Sequence, residues 1–392
     1  MTYLIFNALL VLLAIPVVVF VIECLLGLIR PKEIGLTDNS NISAAILIPA
    51  HNEESGIAKT LENLKTQITS NDQVVVIADN CEDTTADIAR AFGFTVIERQ
   101  SDTERGKGYA LDFGMRHLKQ LDTAPDVVII VDADCIVADN ALARLKQTVI
   151  ARKRPVQACY LMLRGDVTRI AVKISEFAFL VKNKIRLRGL SRLGMPVPLT
   201  GTGMAFPWEA IAQAQLATGD IVEDMRLGVE LAEHGMGATY CDHAFVYSYF
   251  PTSEAAEATQ RERWEHGHLS TLSQFAPRLL KRAVGKPSIE ALGMMLDLII
   301  PPLSLLVMIM GAAWGFFIVW GVLFSQWGLF YGASALFALL LISISLTWFA
   351  HGRHILSVKE MLHIPVYVIS KIVIYLGYIV RKQTKWIRTD RD

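Results

Sequence analysis

The chain has 392 residues, of which 52% are hydrophobic and 19% are charged, and its formal net charge is zero. This composition is too apolar for an ordinary soluble protein and too charged for a pure membrane bundle, and the zero net charge argues against a nucleic-acid-binding protein. The five cysteines are scattered without a CxxC pair, which argues against a disulfide scaffold or a zinc site and indicates a reducing compartment.

The first predicted element is an N-terminal transmembrane helix within residues 1–30. Residues 3–29 contain no lysine or arginine and a single acid, Glu23, and roughly 20 apolar residues are enough to cross a bilayer. A cleaved signal peptide would begin with basic residues, and this segment does not. Arg30 and Lys32 follow the apolar segment directly, so the positive-inside rule places this end in the cytoplasm and the N-terminus outside.

The middle of the chain, residues 42–286, is predicted to form a cytoplasmic α/β domain, because apolar runs typical of buried strands alternate with helical patterns. This alternation favours a mainly parallel sheet, in which ligands bind beyond the carboxyl ends of the strands. The strands are expected as the apolar run before Pro49 and at 74–80, 94–99 and 127–134, and the helices at 57–68, 83–92, 108–120 and from Asn140.

Acidic residues follow several of these strands. Asp79 ends the second strand, Asp132 and Asp134 end the fourth, and Glu53 lies a few residues beyond the first. In the fourth strand one carboxylate can reach a metal while its neighbour orients a ligand, and oxygen ligands suit Mg²⁺ or Mn²⁺. Taken alone, this acidic pair would more simply cap the next loop.

Two further motifs lie between the strands. Lys107 stands between glycines in RGKG, which suits either close backbone approach to a ligand or a plain turn, and the spacing is not that of a P-loop. TGTGMAF (200–206) is either a loop that an acceptor can approach or a tight turn.

Two helical motifs complete the set. Glu223 and Asp224 open a predicted helix that Gly235 ends, and as first-turn acids they are also favoured by the helix dipole. In QRERW (260–264), an arginine can bind the oxygens of an anionic ligand bidentately, and a tryptophan offers a flat face for stacking. A chance amphipathic helix would give the same pattern.

A basic stretch between Lys173 and Arg192 alternates with apolar residues and includes Lys182, Lys184, Arg186 and Arg188. This pattern is typical of an amphipathic helix on an anionic lipid surface, and equally of a solvated helix face.

The C-terminal part is predicted to form a transmembrane hairpin within residues 289–350. Its arms are Leu298 to Phe324 and 328–350, joined by a three-residue link. Lys281, Arg282 and Lys286 precede the hairpin and Arg353 follows it, so both ends are expected in the cytoplasm.

Residues 351–392 are predicted to form an interfacial helix and a cytoplasmic tail. The segment 363–380 is long enough to cross the membrane, but Pro365 and Lys371 interrupt it. A further span would also carry the tail's basic residues outside, against the positive-inside rule: Arg381, Lys382, Lys385 and Arg388.

The motif set resembles the family 2 glycosyltransferases, especially the membrane-embedded branch related to cellulose, chitin, hyaluronan and poly-N-acetylglucosamine synthases. Each motif alone is a weak signal, and their order and spacing between membrane segments carry the resemblance. In chain order, the motifs are PAHNEE (49–54), DNCEDTTADIA (79–89), RGKGYAL (105–111), DAD (132–134), TGTGMAF (200–206), VED (222–224) and QRERW (260–264).

The resemblance implies a GT-A-like, Rossmann-type nucleotide-sugar-binding domain in a multi-pass protein of the inner (cytoplasmic) membrane. The implied reaction is an inverting, metal-dependent transfer from a nucleoside-diphosphate sugar, such as a UDP-sugar, to a glycan or polyprenyl-linked acceptor in cell-surface polysaccharide synthesis. Asp224 would be the general base, and Asp134 with Asp132 would bind Mg²⁺ or Mn²⁺. Donor contacts would come from Ala50, Glu53, Asp79, Lys107, Asp132, Gln260 and Arg263, and acceptor contacts from Thr200, Gly201, Thr202, Gly203 and Trp264.

Other functions remain open at this point. Within the family, the product is either a polymer or a single added sugar, because QRERW occurs in both kinds of enzyme. A membrane-anchored nucleotidyltransferase would also combine an α/β fold with acidic metal ligands, but a glycine-rich activating loop is expected early in its chain. A transporter would be expected to show more membrane spans and intramembrane charges.

Overall fold

The structure is a computed structural model that describes residues 2–32, 35–37, 41–220, 222–285 and 287–380. Lys286 and the basic tail beyond residue 380 lie outside the described residues. The described chain divides into two compact units. The sheet unit consists of the described residues of Pro31–Gly165 and Pro196–Trp264, and the helical unit of those of 2–30, Asp166–Met195 and 265–380.

The secondary structure is as follows. The strands are β1 Ala44–Ala50, β2 Asp72–Asp79, β3 Thr95–Arg99, β4 Val127–Ile130, β5 Ile136–Val137, β6 Val156–Leu163, β7 Met204–Pro207 and β8 Thr239–Tyr249. The helices are α1 Thr2–Gly27, α2 Ile57–Lys65, α3 Thr85–Ala91, α4 Lys107–Leu118, α5 Ala141–Arg152, α6 Ile170–Leu180, α7 Leu187–Arg192, α8 Trp208–Ile211, α9 Glu223–Glu233, α10 Glu254–Gly285, α11 Ile289–Leu298, α12 Leu303–Phe324, α13 Gly328–Thr347, α14 Val358–Met361, α15 Ile364–Ser370 and α16 Ile372–Val380. Two π-helical segments, Val181–Arg186 and Trp348–Gly352, follow α6 and α13.

The sheet unit is built on one mixed sheet in the order β3-β2-β1-β4-β7-β6-β8-β5. The first four strands in this order are parallel, as the alternating sequence pattern predicts. β7 is antiparallel to both β4 and β6, and β5 is antiparallel to β8. Because β6 and β8 are parallel, four of the seven strand pairs in the described sheet are parallel, in agreement with the predicted mainly parallel sheet. The carboxyl ends of β1, β2 and β4 still meet at one edge, where the acidic residues were predicted.

The core of the sheet unit explains why these residues form strands and helices. β1 and β4 are apolar runs buried on both faces, as expected for central parallel strands. In α2, Ile57, Leu61 and Leu64 recur at helical spacing and are fully buried in the core of the sheet unit. α2 ends earlier than predicted, and β4 ends at Ile130, so the acidic pair lies in the loop that follows the strand.

In the helical unit, four helical segments are long and apolar enough to cross a membrane: Tyr3–Gly27, Leu303–Phe324, Gly328–Gly352 and Val358–Tyr378. The first arm of the predicted hairpin starts later than expected, since Pro301-Pro302 separates α11 from α12. Proline lacks the N–H that would continue the helix, and Pro302 stands directly before α12 with an extended ψ.

Two arginines of the basic stretch, Arg186 and Arg188, are buried, whereas Lys182 and Arg192 are exposed. Arg186 is buried and bonds Glu23 at 2.7 Å and Asp297 at 2.5 Å, both of them acids of the helical unit. Arg188 and Arg192 donate to backbone carbonyls at the end of α1, those of Gly27, Ile29 and Arg30. Since a helix C-terminus carries partial negative charge, these arginines stabilise that end of α1.

The last described helices are joined to α10 by polar contacts inside the helical unit. Lys371, between α15 and α16, forms a buried ion pair with Glu265. His266 donates from Nε2 to the carbonyl of Ile374 at 3.0 Å. On the exposed side, large apolar residues recur at helical spacing, at Leu362, Val366, Ile369, Val373 and Leu376.

Candidate active site

The acidic pair is held by the TGTGMAF segment. The backbone N–H of Asp132 donates to the Thr202 hydroxyl at 3.0 Å, and Thr202 is fully buried. Gly203 N–H donates to the carbonyl of Ile130 at 2.9 Å. The loop after β4 is therefore positioned by β7 and the residues before it.

Asp132 and Asp134 are half-exposed, whereas Val131, Ala133 and Cys135 beside them are buried. Together with Cys135 they form a group whose potential ligand atoms all lie within 4.8 Å of one another. Burial and the two neighbouring carboxylates raise the pKa of the Cys135 thiol well above its usual range, so the oxygens are the available hard ligands.

Lys107, the first residue of α4, connects three parts of this edge. Its Nζ forms an ion pair with Asp132, donates to the carbonyl of Gly201 at 2.8 Å and lies 4.0 Å from Glu223 Oε1. Burial opposes the charge on the ammonium, but the Asp132 and Glu223 carboxylates outweigh it and hold the pKa of Lys107 above its usual value. Lys107 is thus a fixed positive charge between the candidate metal ligands, Asp132 and Asp134, and the start of α9.

The glycine after Lys107 has a packing role. A Cβ on Gly108 would lie 2.6 Å from the carbonyl oxygens of Leu216 and Thr218, too close for any side chain. The glycine thus allows the backbone at residues 216–218 to pack closely against α4, rather than allowing a ligand to approach. This contact borders a cavity that is also lined by Glu223 and Asp224.

Glu223 and Asp224 begin α9, as predicted, and Gly235 beyond its end has a φ of 78°. A Cβ on Gly201 would lie 3.5 Å from Asp224 Oδ2 and 3.8 Å from Lys107 Nζ, so the Asp224 carboxylate shares this corner with the lysine. Burial, opposed by Lys107 and reinforced by Asp224, raises the pKa of Glu223 to about 7.

The residues of TGTGMAF divide between the site and the core. Gly201 has a φ of 90° and borders the corner of Lys107 and Asp224. A Cβ on Gly203 would meet Ala158 and Val246 at 2.8 Å, so this glycine allows β7 to pack against β6 and β8. Thr200 donates its N–H to Gln157 Oε1 at 2.9 Å, while its buried hydroxyl has no hydrogen-bond partner among the described residues.

Ala50, Glu53 and Asp79 lie together where β1 and β2 end. Cys81 Sγ donates to the carbonyl of Ala50 at 3.4 Å, and Glu53 N–H donates to Thr85 Oγ1 at 2.8 Å. His51 Nδ1 donates to the carbonyl of Asp79 at 2.7 Å. These contacts tie the loop after β1 to the end of β2.

Arg99 was missed by the sequence interpretation. It is buried at the end of β3 and donates to Asp79 Oδ1 at 2.8 Å, with Glu104 as its second acidic partner. The signal was available, since both residues end adjacent predicted strands and are direct neighbours in the parallel register. Asp79 Oδ1 also accepts from Asn80 Nδ2 at 3.1 Å, which leaves the other oxygen as the one suited to a ligand.

The QRERW motif lies on α10. Gln260, Arg263 and Trp264 are at positions i, i+3 and i+4, which share one helix face, and Gln260 is buried while the other two are half-buried. The spacing along one helix brings these three residues of QRERW together. By contrast, Lys107, Asp132 and Gly201 come from different parts of the chain and are joined by direct contacts.

Comparisons with known proteins agree with this architecture. A family model described as glycosyltransferase like family 2 matches residues 42–267. The probable glycosyltransferase YdaM of Bacillus subtilis is 33% identical over 257 residues, or 60% of this chain and 58% of that protein. The 4,4'-diaponeurosporenoate glycosyltransferase of Staphylococcus haemolyticus is 34% identical over 96 residues, 24% of each chain. The chain thus spans little more than half the length of the first of these relatives, and about a quarter of the second.

Among solved structures, the mannosyltransferase PcManGT from Pyrobaculum calidifontis, in complex with GDP-Man and Mn²⁺, aligns with 96% of this chain and 100% of its own, with a TM-score of 0.57 and 15% identity. At this identity the likeness concerns the fold. The family match covers more than half of the chain, and the mixed sheet is that of the GT-A fold. The chain therefore belongs to the glycosyltransferase like family 2, and its sheet unit has the GT-A fold.

Proposed function

We propose that this enzyme transfers one sugar from a nucleoside-diphosphate sugar to a hydroxyl of a glycan or polyprenyl-linked acceptor, with inversion at the anomeric carbon, in cell-surface polysaccharide synthesis. The observation that carries the proposal is the meeting of Lys107, Asp132, Gly201 and Asp224 at the carboxyl edge of the sheet. This edge combines positive charge for a diphosphate with a carboxylate for an acceptor hydroxyl.

The proposed chemistry is a single displacement. Asp224 accepts the proton of the acceptor hydroxyl as its oxygen bonds to the anomeric carbon, and the bond from that carbon to the diphosphate oxygen breaks on the opposite face. The nucleoside diphosphate leaves with the bonding electron pair. Lys107 and Arg263 supply positive charge for the diphosphate, and the unpartnered Thr200 hydroxyl together with Trp264 would orient the acceptor.

The residues at the DAD loop fit a divalent cation. Asp132 and Asp134 present carboxylates to one side, and the Lys107 ammonium already lies against Asp132, so this position accepts positive charge. Mg²⁺ or Mn²⁺ held by Asp134 and Asp132 would supply further positive charge against the leaving diphosphate.

The nucleoside would bind where β1 and β2 end, with Ala50, Glu53 and Asp79 as contacts. Arg99 pairs with Asp79 Oδ1 and orients its carboxylate. Such an acceptor suits a base that carries an imide or amide N–H, as in uracil or guanine. A UDP-sugar is our first candidate donor, and GDP-mannose is the next, since the structurally similar mannosyltransferase is described with GDP-Man.

We further propose that residues 1–30 and 289–350 anchor the enzyme in the inner membrane, that 42–286 form the catalytic domain on the cytoplasmic side and that 351–392 lie in the interface and cytoplasm. Aromatic side chains crowd the turn between α12 and α13, as expected at a headgroup region: Trp320, Phe324, Trp327 and Phe330. Labelling of Thr389→Cys by an impermeant reagent in intact cells would contradict a cytoplasmic tail.

A donor screen tests the reaction. The purified full-length protein is incubated with UDP- and GDP-sugars and membrane lipid extract, and release of nucleoside diphosphate is measured. We expect release with one donor class, its loss with chelator and its return with Mg²⁺ or Mn²⁺. Asp134→Ala should abolish it, whereas Asp122→Ala, an exposed acid before β4, should leave it unchanged. Undiminished transfer by metal-free Asp134→Ala would overturn the metal assignment.

The length of the product decides between a polymer synthase and a single-sugar transferase. Labelled donor and membranes are incubated, and the product is separated on a gel. A ladder of products of increasing length would show processive synthesis and would contradict our proposal that a single sugar is added.

A further inference from the structure

Lys107 occupies the position at which the proposed metal site needs a cation. Its ammonium is in direct contact with Asp132, which is one of the two carboxylates proposed as metal ligands. The same ammonium is held from the other side by the carbonyl of Gly201 at 2.8 Å and by Glu223 at 4.0 Å. Three elements of the site thus converge on one positive charge.

This arrangement cannot persist unchanged when a divalent cation binds. An ammonium and a metal ion on the same small carboxylate repel each other. Because both would be partly shielded from water, the repulsion would be stronger than in solution. The ammonium therefore competes with the metal for Asp132. A bound diphosphate would remove this competition, because its oxygens offer the lysine a new anionic partner.

We propose that Lys107 acts as a resident cation of the donor-free site, which pairs with Asp132 until a metal ion takes its place and the ammonium moves to the diphosphate. This inference rests on the proposed function. It makes Lys107 a donor-binding residue that couples metal binding to nucleotide binding. Because such coupling is reciprocal, the nucleotide should tighten metal binding by the same factor as the metal tightens nucleotide binding.

The test measures binding of Mn²⁺ to the full-length protein in detergent, by calorimetry or by the loss of the free Mn²⁺ signal in electron paramagnetic resonance. In Lys107→Met the competing charge is absent. We expect Mn²⁺ alone to bind more tightly than to the wild type, by a factor on the order of ten, a typical size for coupling between sites. UDP and GDP are then added separately, and the nucleotide that binds should tighten Mn²⁺ binding strongly in the wild type and much less in the variant.

Three controls accompany the variant. Lys107→Arg keeps the charge and should not gain Mn²⁺ affinity. Lys65→Met removes the same charge from an exposed position at the end of α2 and should behave as the wild type does. Lys107→Gln provides a second neutral side chain should the methionine variant fail to fold.

Two results would overturn the proposal, and they differ in what else they affect. If Asp134→Ala abolishes Mn²⁺ binding while neither neutral variant of Lys107 increases it, Lys107 is not a competitor, and the proposed metal site stands. If Asp134→Ala leaves Mn²⁺ binding unchanged, the metal assignment in the proposed function is wrong together with this inference.

Discussion

Two lysine–aspartate pairs stand at opposite ends of the same sheet. At the amino end, Lys146 of α5 bonds both carboxylate oxygens of Asp72 at 2.9 Å, and the side chains are 3% and 1% exposed. At the carboxyl end, Lys107 pairs with Asp132, and the side chains are 19% and 31% exposed. The residue types are the same, but only the second pair is reached by solvent and borders further acids.

The difference shows that the position of a pair in the fold, and not its chemistry, determines its role. Asp72 begins β2, and its lysine also reaches the carbonyl of Ile42, so this pair fixes the start of the central strands. Asp132 follows the end of β4, where parallel strands leave a crevice for ligands. The predictions below test whether the two ends divide into a structural and a catalytic role.

The largest expected effect concerns Asp224 at the carboxyl end. Asp224→Asn keeps the size of the side chain and removes the proton acceptor, so we expect transfer to fall by a factor on the order of 10²–10⁴. Binding of nucleoside diphosphate with metal, measured by calorimetry, should stay near the wild-type value.

The matched control is Asp87→Asn, an exposed acid in the first turn of α3 that should have no effect on transfer. If Asp224→Asn retains transfer within a few-fold, another residue is the base. If nucleotide binding is lost together with transfer, Asp224 belongs to the donor site.

The next prediction applies the same substitution at both ends. Lys146→Met leaves Asp72 as a buried unpaired charge, which should destabilise the fold by about 3–5 kcal/mol. Lys107→Met removes a partly exposed pair and should change stability by no more than about 1 kcal/mol. The readout is the melting temperature of each purified full-length protein in detergent. Equal destabilisation by the two substitutions would remove the distinction between the ends.

The smallest expected effect is a pH dependence at Glu223. Its pKa is raised to about 7 from 4.5, mainly by burial, so the folded state prefers the neutral acid. Neutral Glu223 therefore contributes to the free energy of unfolding below pH 4.5, and this contribution is lost as the pH rises through 7 and the buried acid ionises.

Glu223→Gln is neutral at every pH, so we expect it to gain stability relative to the wild type between pH 5 and pH 8. The gain should be a few degrees in melting temperature, since about 1 kcal/mol corresponds to roughly 2–4 °C in a domain of this size. The measurement is made without metal, and Glu230→Gln on the same helix serves as the comparison. A difference between Glu223→Gln and the wild type that does not change with pH would contradict the raised pKa.

Much of the fold was predictable because its signals are local. The alternation of apolar runs and helical patterns placed the first four strands and their helices within a few residues. Long apolar stretches placed three of the four candidate membrane helices among the described residues, whereas the fourth, Val358–Tyr378, overlaps the segment that was predicted to lie in the interface. The second half of the sheet was not predicted. β6 pairs with β8 in parallel and with β7 in antiparallel orientation, and partners so distant in the chain leave no local periodicity.

The sequence by itself determined which residues are candidates for the site, because they are recognisable from residue type and neighbours: the acids after β4, the acidic pair that opens α9 and the lysine between glycines. Only the tertiary structure decided what they contact. It joined Lys107 to Asp132 and Gly201, paired Arg99 with Asp79, and buried Arg186 of the basic stretch against Glu23. The physical reason is that a charge is paired by whatever lies within a few ångströms of it, and that neighbourhood is created by strand register and helix packing rather than by the order of residues in the chain.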